Sequence, residues 1–149
     1  MKIACIQYKS YPYEEQTLSE ILPLIKKTAK KNVDLITLPE CSTFLNKNHK
    51  ETIKNAKVEK ESLTLKVIKE KAKLFKVNIL IGSLQTLQFR NNIKKLYNRS
   101  FLINSDGKII CSYKKIHMFD ANISKSQVYK ESNIYQSGKL AKIGEIYVN

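Results

Sequence analysis

Apolar residues are arranged along this chain in two rhythms. Lys2 to Tyr8, Val33 to Leu38 and Val77 to Gly82 are short runs with little polar alternation, which suits strands covered on both faces. Between them, Leu18, Ile21, Leu22, Ile25 and Ala29 recur at helical intervals, and so do Leu63, Val67, Ile68, Ala72 and Phe75, with lysines on the opposite side. Thr17-Leu18-Ser19-Glu20 has the spacing of a capping box, and Pro23 predicts a bend in the first helix or a later start, near Ser19. Asn32 is placed to close that helix, and Ser62 to open the second, which reaches about Lys76. Strand, helix, strand, helix, strand predicts parallel strands joined by right-handed crossovers, with C-terminal ends at one edge of the sheet.

The second half reads differently. Gly82-Ser83 is expected to end the third strand, Gln88 to Lys95 to form a polar linker, and Leu96 to Ile103 and Lys108 to Tyr113 to pair through an Asp-Gly turn at Asn104-Ser105-Asp106-Gly107. Phe44 to Lys60 is polar and reads as a loop with at most a short helix. Lys115 to Lys142 has few apolar anchors, and a loop of that length in a compact domain is usually functional. Ile143 to Val148 reads as a last short strand.

Composition narrows the class. A chain of 149 residues with 42% hydrophobic and 27% charged residues suits one globular domain, and no apolar run approaches the roughly 20 residues of a membrane span. The opening Met1 to Gln7 is too short for a signal peptide, so a cytoplasmic address is expected, with no membrane partner. Cys5, Cys41 and Cys111 lack metal-ligand spacing and read as buried thiols; with only His49 and His117 beside them, no metal site and no cofactor are expected. The formal charge of +14 raises nucleic acid as a partner. Against it, all but two of the 27 basic residues are lysines spread over the chain, the exceptions being Arg90 and Arg99, whereas phosphate and base recognition favours the arginine fork.

Candidate chemistry gathers at two strand ends. Leu35-Ile36-Thr37-Leu38-Pro39-Glu40 runs an apolar strand into a carboxylate, and Tyr113-Lys114-Lys115-Ile116-His117-Met118-Phe119-Asp120 carries two lysines into apolar surroundings. An ammonium drawn into a partly enclosed place is costly without a carboxylate partner, and Glu40 is the candidate.

With these motifs placed, the sequence resembles the nitrilase superfamily of carbon-nitrogen hydrolases, in particular its small amidases of the omega-amidase type. The resemblance implies an α/β fold, the α-β-β-α sandwich of the nitrilase type, of which about half is present here. It implies a Glu-Lys-Cys triad in which Glu40 is the general base and Lys115 the oxyanion donor, with Glu131 holding the lysine and touching substrate and Lys114 supporting. The family's nucleophilic cysteine lies some way beyond the lysine, so residues 1–149 are expected to be the N-terminal part of a single hydrolase domain that stops before its nucleophile strand. Cys41 is expected to be buried and pointed away from Glu40. The implied partners are a small amide substrate and a C-terminal half or second copy of the chain. Alone, the chain is expected to be inactive, with one apolar sheet face and one strand edge uncovered. The alternative readings are a basic nucleic-acid-binding module and a non-catalytic remnant of a split or decayed gene.

Overall fold

A computed structural model describes residues 1–46, 48–124 and 127–148. Its elements run β1 (Ile3–Cys5), α1 (Glu14–Ala29), β2 (Leu35–Leu38), α2 (His49–Asn55), β3 (Lys57–Val58), α3 (Leu63–Phe75), β4 (Asn78–Arg90), β5 (Ile93–Ile103), β6 (Ile109–Lys114), β7 (Asp120–Ser124) and β8 (Gln127–Lys130). Six strands form one mixed sheet in the order β1-β2-β4-β5-β6, with β3 paired to the far half of β4; β7 and β8 form a separate hairpin. β1, β2 and β4 are parallel, and β5 and β6 are added antiparallel.

Both crossovers step in the same direction across the sheet, so right-handed connections put α1 and α3 on one face. That face is the core. Ile21 and Ile25 of α1 and Leu65, Ile68 and Ala72 of α3 pack on Ile36, Leu38, Ile79, Ile81, Leu84, Phe101 and Ile103. The opposite face is unevenly covered. Over the far halves of β4 and β5, Leu87 and Leu96 pack with Phe44, Ala56 and Tyr135 in a second core. Toward β1 and β6 the face is thin, with Leu35, Leu80, Leu102, Cys111 and Tyr113 half-buried beside a cavity of about 440 Å³ that residues 142–146 help to line.

Several expectations change here. β1 is shorter than predicted and open, with Ile3 and Cys5 exposed, because it is an edge strand with a partner on one side only. α1 begins at Glu14, ahead of the supposed capping box: the Thr17 hydroxyl accepts from the Tyr11 N–H at 2.9 Å and buries inside the helix, while Pro23 stays within it. Gly82-Ser83 does not end a strand; it is a bulge in β4 between the pairs Ile81–Phe101 and Leu84–Arg99. The supposed linker is a hairpin, since Asn91 and Asn92, with φ of 49° and 61°, supply the two left-handed residues of a tight turn. Ile143 to Val148 pairs with no strand and crosses the thin face as an extended segment, where a Cβ on Gly144 would lie 2.7 Å from Leu102 Cδ2. The Ser62 cap of α3, the Asp-Gly turn and the short helix in the 44–60 loop stand as predicted; the Ser62 side chain accepts from the Leu65 N–H.

Candidate active site

Topology explains why residues 40 and 115 meet. Two antiparallel steps separate β4 from β6, so β6 runs parallel to β2, and Glu40 and Lys115, each just past a strand's C-terminus, emerge at the same edge. The bulge in β4 fixes the first of them. Ser83 donates its N–H to the Pro39 carbonyl at 3.3 Å and accepts the Cys41 N–H on its hydroxyl at 2.9 Å, and its carbonyl accepts the Ser42 N–H at 2.8 Å. The turn passes so close to the strand that a Cβ on Gly82 would sit 2.4 Å from the Leu38 carbonyl oxygen and 2.6 Å from Pro39, so only glycine fits.

The bulge also shifts the alternation by one, leaving Ser83, Gln85 and Leu87 buried on the face opposite the helices. Across the sheet, Asn98 of β5 pairs with Gln85, and its carbonyl accepts the Lys115 N–H at 2.9 Å. Glu131 opens a single 3-10 turn after the β7–β8 hairpin; its N–H donates to the Phe119 carbonyl, and its carboxylate accepts the Phe119 N–H at 2.7 Å.

These residues close a ring. Lys115 Nζ lies 2.9 Å from Glu40 Oε1 and 2.8 Å from Glu131 Oε2, and Asn98 Nδ2 donates to Glu40 Oε1 at 2.7 Å and to Glu131 Oε1 at 3.2 Å. The two carboxylates differ in setting. Glu131, with a side chain 6% exposed, has both oxygens occupied; Glu40 is 57% exposed, and no described residue donates to its Oε2. Partial burial alone would raise the Glu40 pKa, but the hydrogen bonds from Lys115 and Asn98 outweigh it and hold the carboxyl below its ordinary value. Burial would likewise lower Lys115, yet the two carboxylates outweigh it and raise the ammonium above its ordinary value. The charged forms of both are therefore favoured at neutral pH. Such a pair offers a proton acceptor beside a fixed cation.

Other candidates fall outside the ring. Cys41 lies in the turn, not in a strand, with φ of 56°, and is half-buried. Burial, then the charges of Glu40 and Glu131, push its thiol up to about 12 against the pull of Lys115, so it is a neutral thiol at pH 7, the reverse of an activated nucleophile. Cys5 is exposed and Cys111 is half-buried on the thin face, so neither is the enclosed thiol anticipated, and Cys41 comes nearest to it. Lys114 sends its ammonium to Gln88 Oε1 at 2.6 Å and over the Tyr97 ring at 4.1 Å, away from the two carboxylates. His49 meets Tyr129 edge-on, and Tyr129 tilts against Phe119, which gives the site an aromatic rim. His117 is exposed. Asn98 was not among the predicted site residues; the signal was present as an asparagine inside the apolar run Leu96 to Ile103, where a buried amide has to find partners. Among the described residues, no three or more His, Cys, Asp or Glu side chains are grouped to hold a metal ion, and no helix is long and apolar enough to cross a membrane.

The family model for carbon-nitrogen hydrolases matches residues 2–147. Among curated proteins, nitrilase homolog 2 of Dictyostelium discoideum is 27% identical over 145 residues, covering 97% of this chain and 43% of the relative. The omega-amidase of Saccharomyces cerevisiae is 29% identical, covering 93% of this chain and 49% of the relative. The chain thus spans about half the length of these relatives. Among solved structures, the C. elegans NitFhit protein superposes with a TM-score of 0.80 at 25% identity, over 92% of this chain and 33% of that one.

Proposed function

The chain belongs to the carbon-nitrogen hydrolase family, and we propose that Glu40, Lys115 and Glu131 are its share of an amide-cleaving site. One observation carries the reading: an ammonium bracketed by two carboxylates at 2.9 and 2.8 Å, gathered from positions 40, 115 and 131. Glu40, exposed and with one oxygen unoccupied, is the proton carrier; Lys115 is the fixed cation; Glu131, saturated and buried, holds the lysine in place.

In the proposed reaction Glu40 takes the proton of a cysteine thiol as the sulfur attacks the amide carbon. The carbonyl electron pair moves onto oxygen, beside the Lys115 ammonium. When the tetrahedral species collapses, the amine leaves with the proton from Glu40, and a thioester remains. Water then attacks the thioester, gives a proton to Glu40, and the acid is released as the sulfur recovers its proton. Cys41, raised to about 12 by burial and two nearby carboxylates, does not suit the nucleophile's part, which we assign to a cysteine outside residues 1–149. On this reading these residues are the N-terminal part of one hydrolase domain, completed by a C-terminal half. Similarity to an omega-amidase favours a small amide, best an omega-amide of a 2-oxo acid, as substrate.

The test is ammonia release from 2-oxo acid omega-amides by the purified chain, with Cys41→Ala beside it. No turnover by either is expected. Turnover by the chain that Cys41→Ala abolishes would place the nucleophile at Cys41. Reading the transcript beyond the codon for position 149 tests the other half: a cysteine codon in a Gly-x-x-x-Cys-Tyr-Asp context is expected, and its absence in every frame would remove the triad.

A further inference from the structure

We propose that Asn98 is the positioning residue of this site: its one side-chain nitrogen ties Glu40 to Glu131, so that Glu40 is held by one oxygen and keeps the other free. The inference rests on the reading of Glu40 as proton carrier. Asn98 touches every member of the ring. Its amide nitrogen donates to Glu40 Oε1 at 2.7 Å and to Glu131 Oε1 at 3.2 Å, and its main-chain carbonyl accepts the Lys115 N–H at 2.9 Å. The residue is 3% exposed and sits within β5, between pairs that register the strand on both sides.

The division of labour with Lys115 follows from shape. An ammonium on a four-carbon stem is a point charge with rotatable donors, and it attracts either oxygen of a nearby carboxylate about equally. An amide is planar and its two N–H bonds diverge at a fixed angle, so one carboxylate on each fixes their relative orientation. Glu131 cannot turn, since the Phe119 N–H and Lys115 occupy its Oε2. Asn98 therefore transmits the frame of Glu131 to the exposed Glu40. Lys115 supplies charge, and Asn98 supplies direction.

The experiment uses the full chain with carboxyl-labelled glutamate and labelled asparagine side chains, followed by nuclear magnetic resonance across pH. In the native protein Glu40 is expected to titrate below an ordinary glutamate, and the two Asn98 amide protons to be well separated, slow to exchange, and responsive to Glu40's titration. In Asn98→Leu, which has a similar volume, keeps the main-chain bond to Lys115 and lacks the donors, the Glu40 midpoint is expected to move up while the amide signals of Ile79, Ile81 and Phe101 stay in place. A Glu40 midpoint unmoved in Asn98→Leu overturns the inference. Should that variant fail to fold, the native signals decide: equivalent, fast-exchanging Asn98 protons overturn it, and separated, protected ones uphold it. A native Glu40 that titrates as an ordinary exposed carboxylate removes the paired site beneath it as well, which separates that failure from one confined to Asn98.

Discussion

Strand β5 cuts the molecule in cross-section, and its two sides show two different solutions to covering a sheet. Phe101 and Ile103 point toward α1 and α3 and are fully buried in apolar company. Asn98, Ser100 and Leu102 point the other way. There, one end of the face is closed by a second apolar cluster around Leu87 and Leu96 and by the ring of Asn98, Glu40, Lys115 and Glu131, and the other meets residues 142–146 beside a cavity. Two helices supplied by the same chain make the first face a finished core. The second is mixed: beside the ring, Leu87 and Leu96 pack with Phe44, Ala56 and Tyr135 in a smaller core, so its order comes from directional bonds and packing together. The larger core lies on one side of the sheet, and the smaller core and the carboxylate-lysine ring on the other.

The largest effect should come from breaking the finished side. Phe101→Ala removes a fully buried ring that packs among Ile81, Ile103 and Leu84, and a loss of about 3–5 kcal/mol is expected from urea unfolding. Next comes Lys115→Met. It strands the buried Glu131 carboxylate with only the Asn98 and Phe119 donors, and because the lysine is a quarter exposed the loss should fall below a fully buried pair, about 2 kcal/mol. Glu40→Gln, on an exposed carboxylate, should cost less than about 1 kcal/mol in the same measurement. If the two substitutions cost the same, the two carboxylates do not differ in setting as described.

The pH dependence sharpens the same contrast. Glu40 has a folded pKa below its unfolded value, so its contribution is present above the unfolded pKa and fades as pH falls through the folded one. Lys115 has a folded pKa above its unfolded value of 10.5, so its contribution is full below that value and fades as pH rises through the folded one. Stability from the ring should therefore be flat through neutrality and fall at both extremes. In Lys115→Met both limbs should shrink, while Phe101→Ala should lower the whole curve without changing its shape. Thermal melts across pH would read the difference.

How much of this was legible in the chain follows the same division. The finished side was readable because its code is local: Ile21 and Ile25 at helical spacing, Ser62 ahead of α3, and Asp106-Gly107 in a tight turn each act through near neighbours. The pairing of Glu40 with Lys115 was readable because each ends an apolar run. The bulge was not, since Gly82-Ser83 looks like a strand end until the Pro39 turn it accommodates is seen against it. Asn98 was missed for a related reason: its place in the run Leu96 to Ile103 marks a buried amide in need of partners, but those partners lie 58 and 33 residues away and cannot be named from nearby residues. The expected strand at 143–148 failed because an apolar run does not say whether it joins a sheet edge or lies across a sheet face, and this segment crosses the face although β1 and β6 each have an open side.

A comparably small effect tests the thin face directly. Leu102 is paired with Cys111 on that face, half-buried, and Gly144 approaches its Cδ2 across a segment that makes no ladder bonds. A leucine in a closed core loses a transfer term and a cavity term when cut to alanine, but beside an existing gap there is little further cavity to create and part of the side chain already meets solvent. Leu102→Ala should therefore cost about 1 kcal/mol or less, although Phe101 is its immediate neighbour in the same strand. The comparison is made on the isolated chain by urea unfolding. A loss as large as that of Phe101→Ala would mean that residues 142–146, or a second copy of the chain, close this face as tightly as the helices close the other. The cost should then depend on protein concentration only if the cover is a second copy.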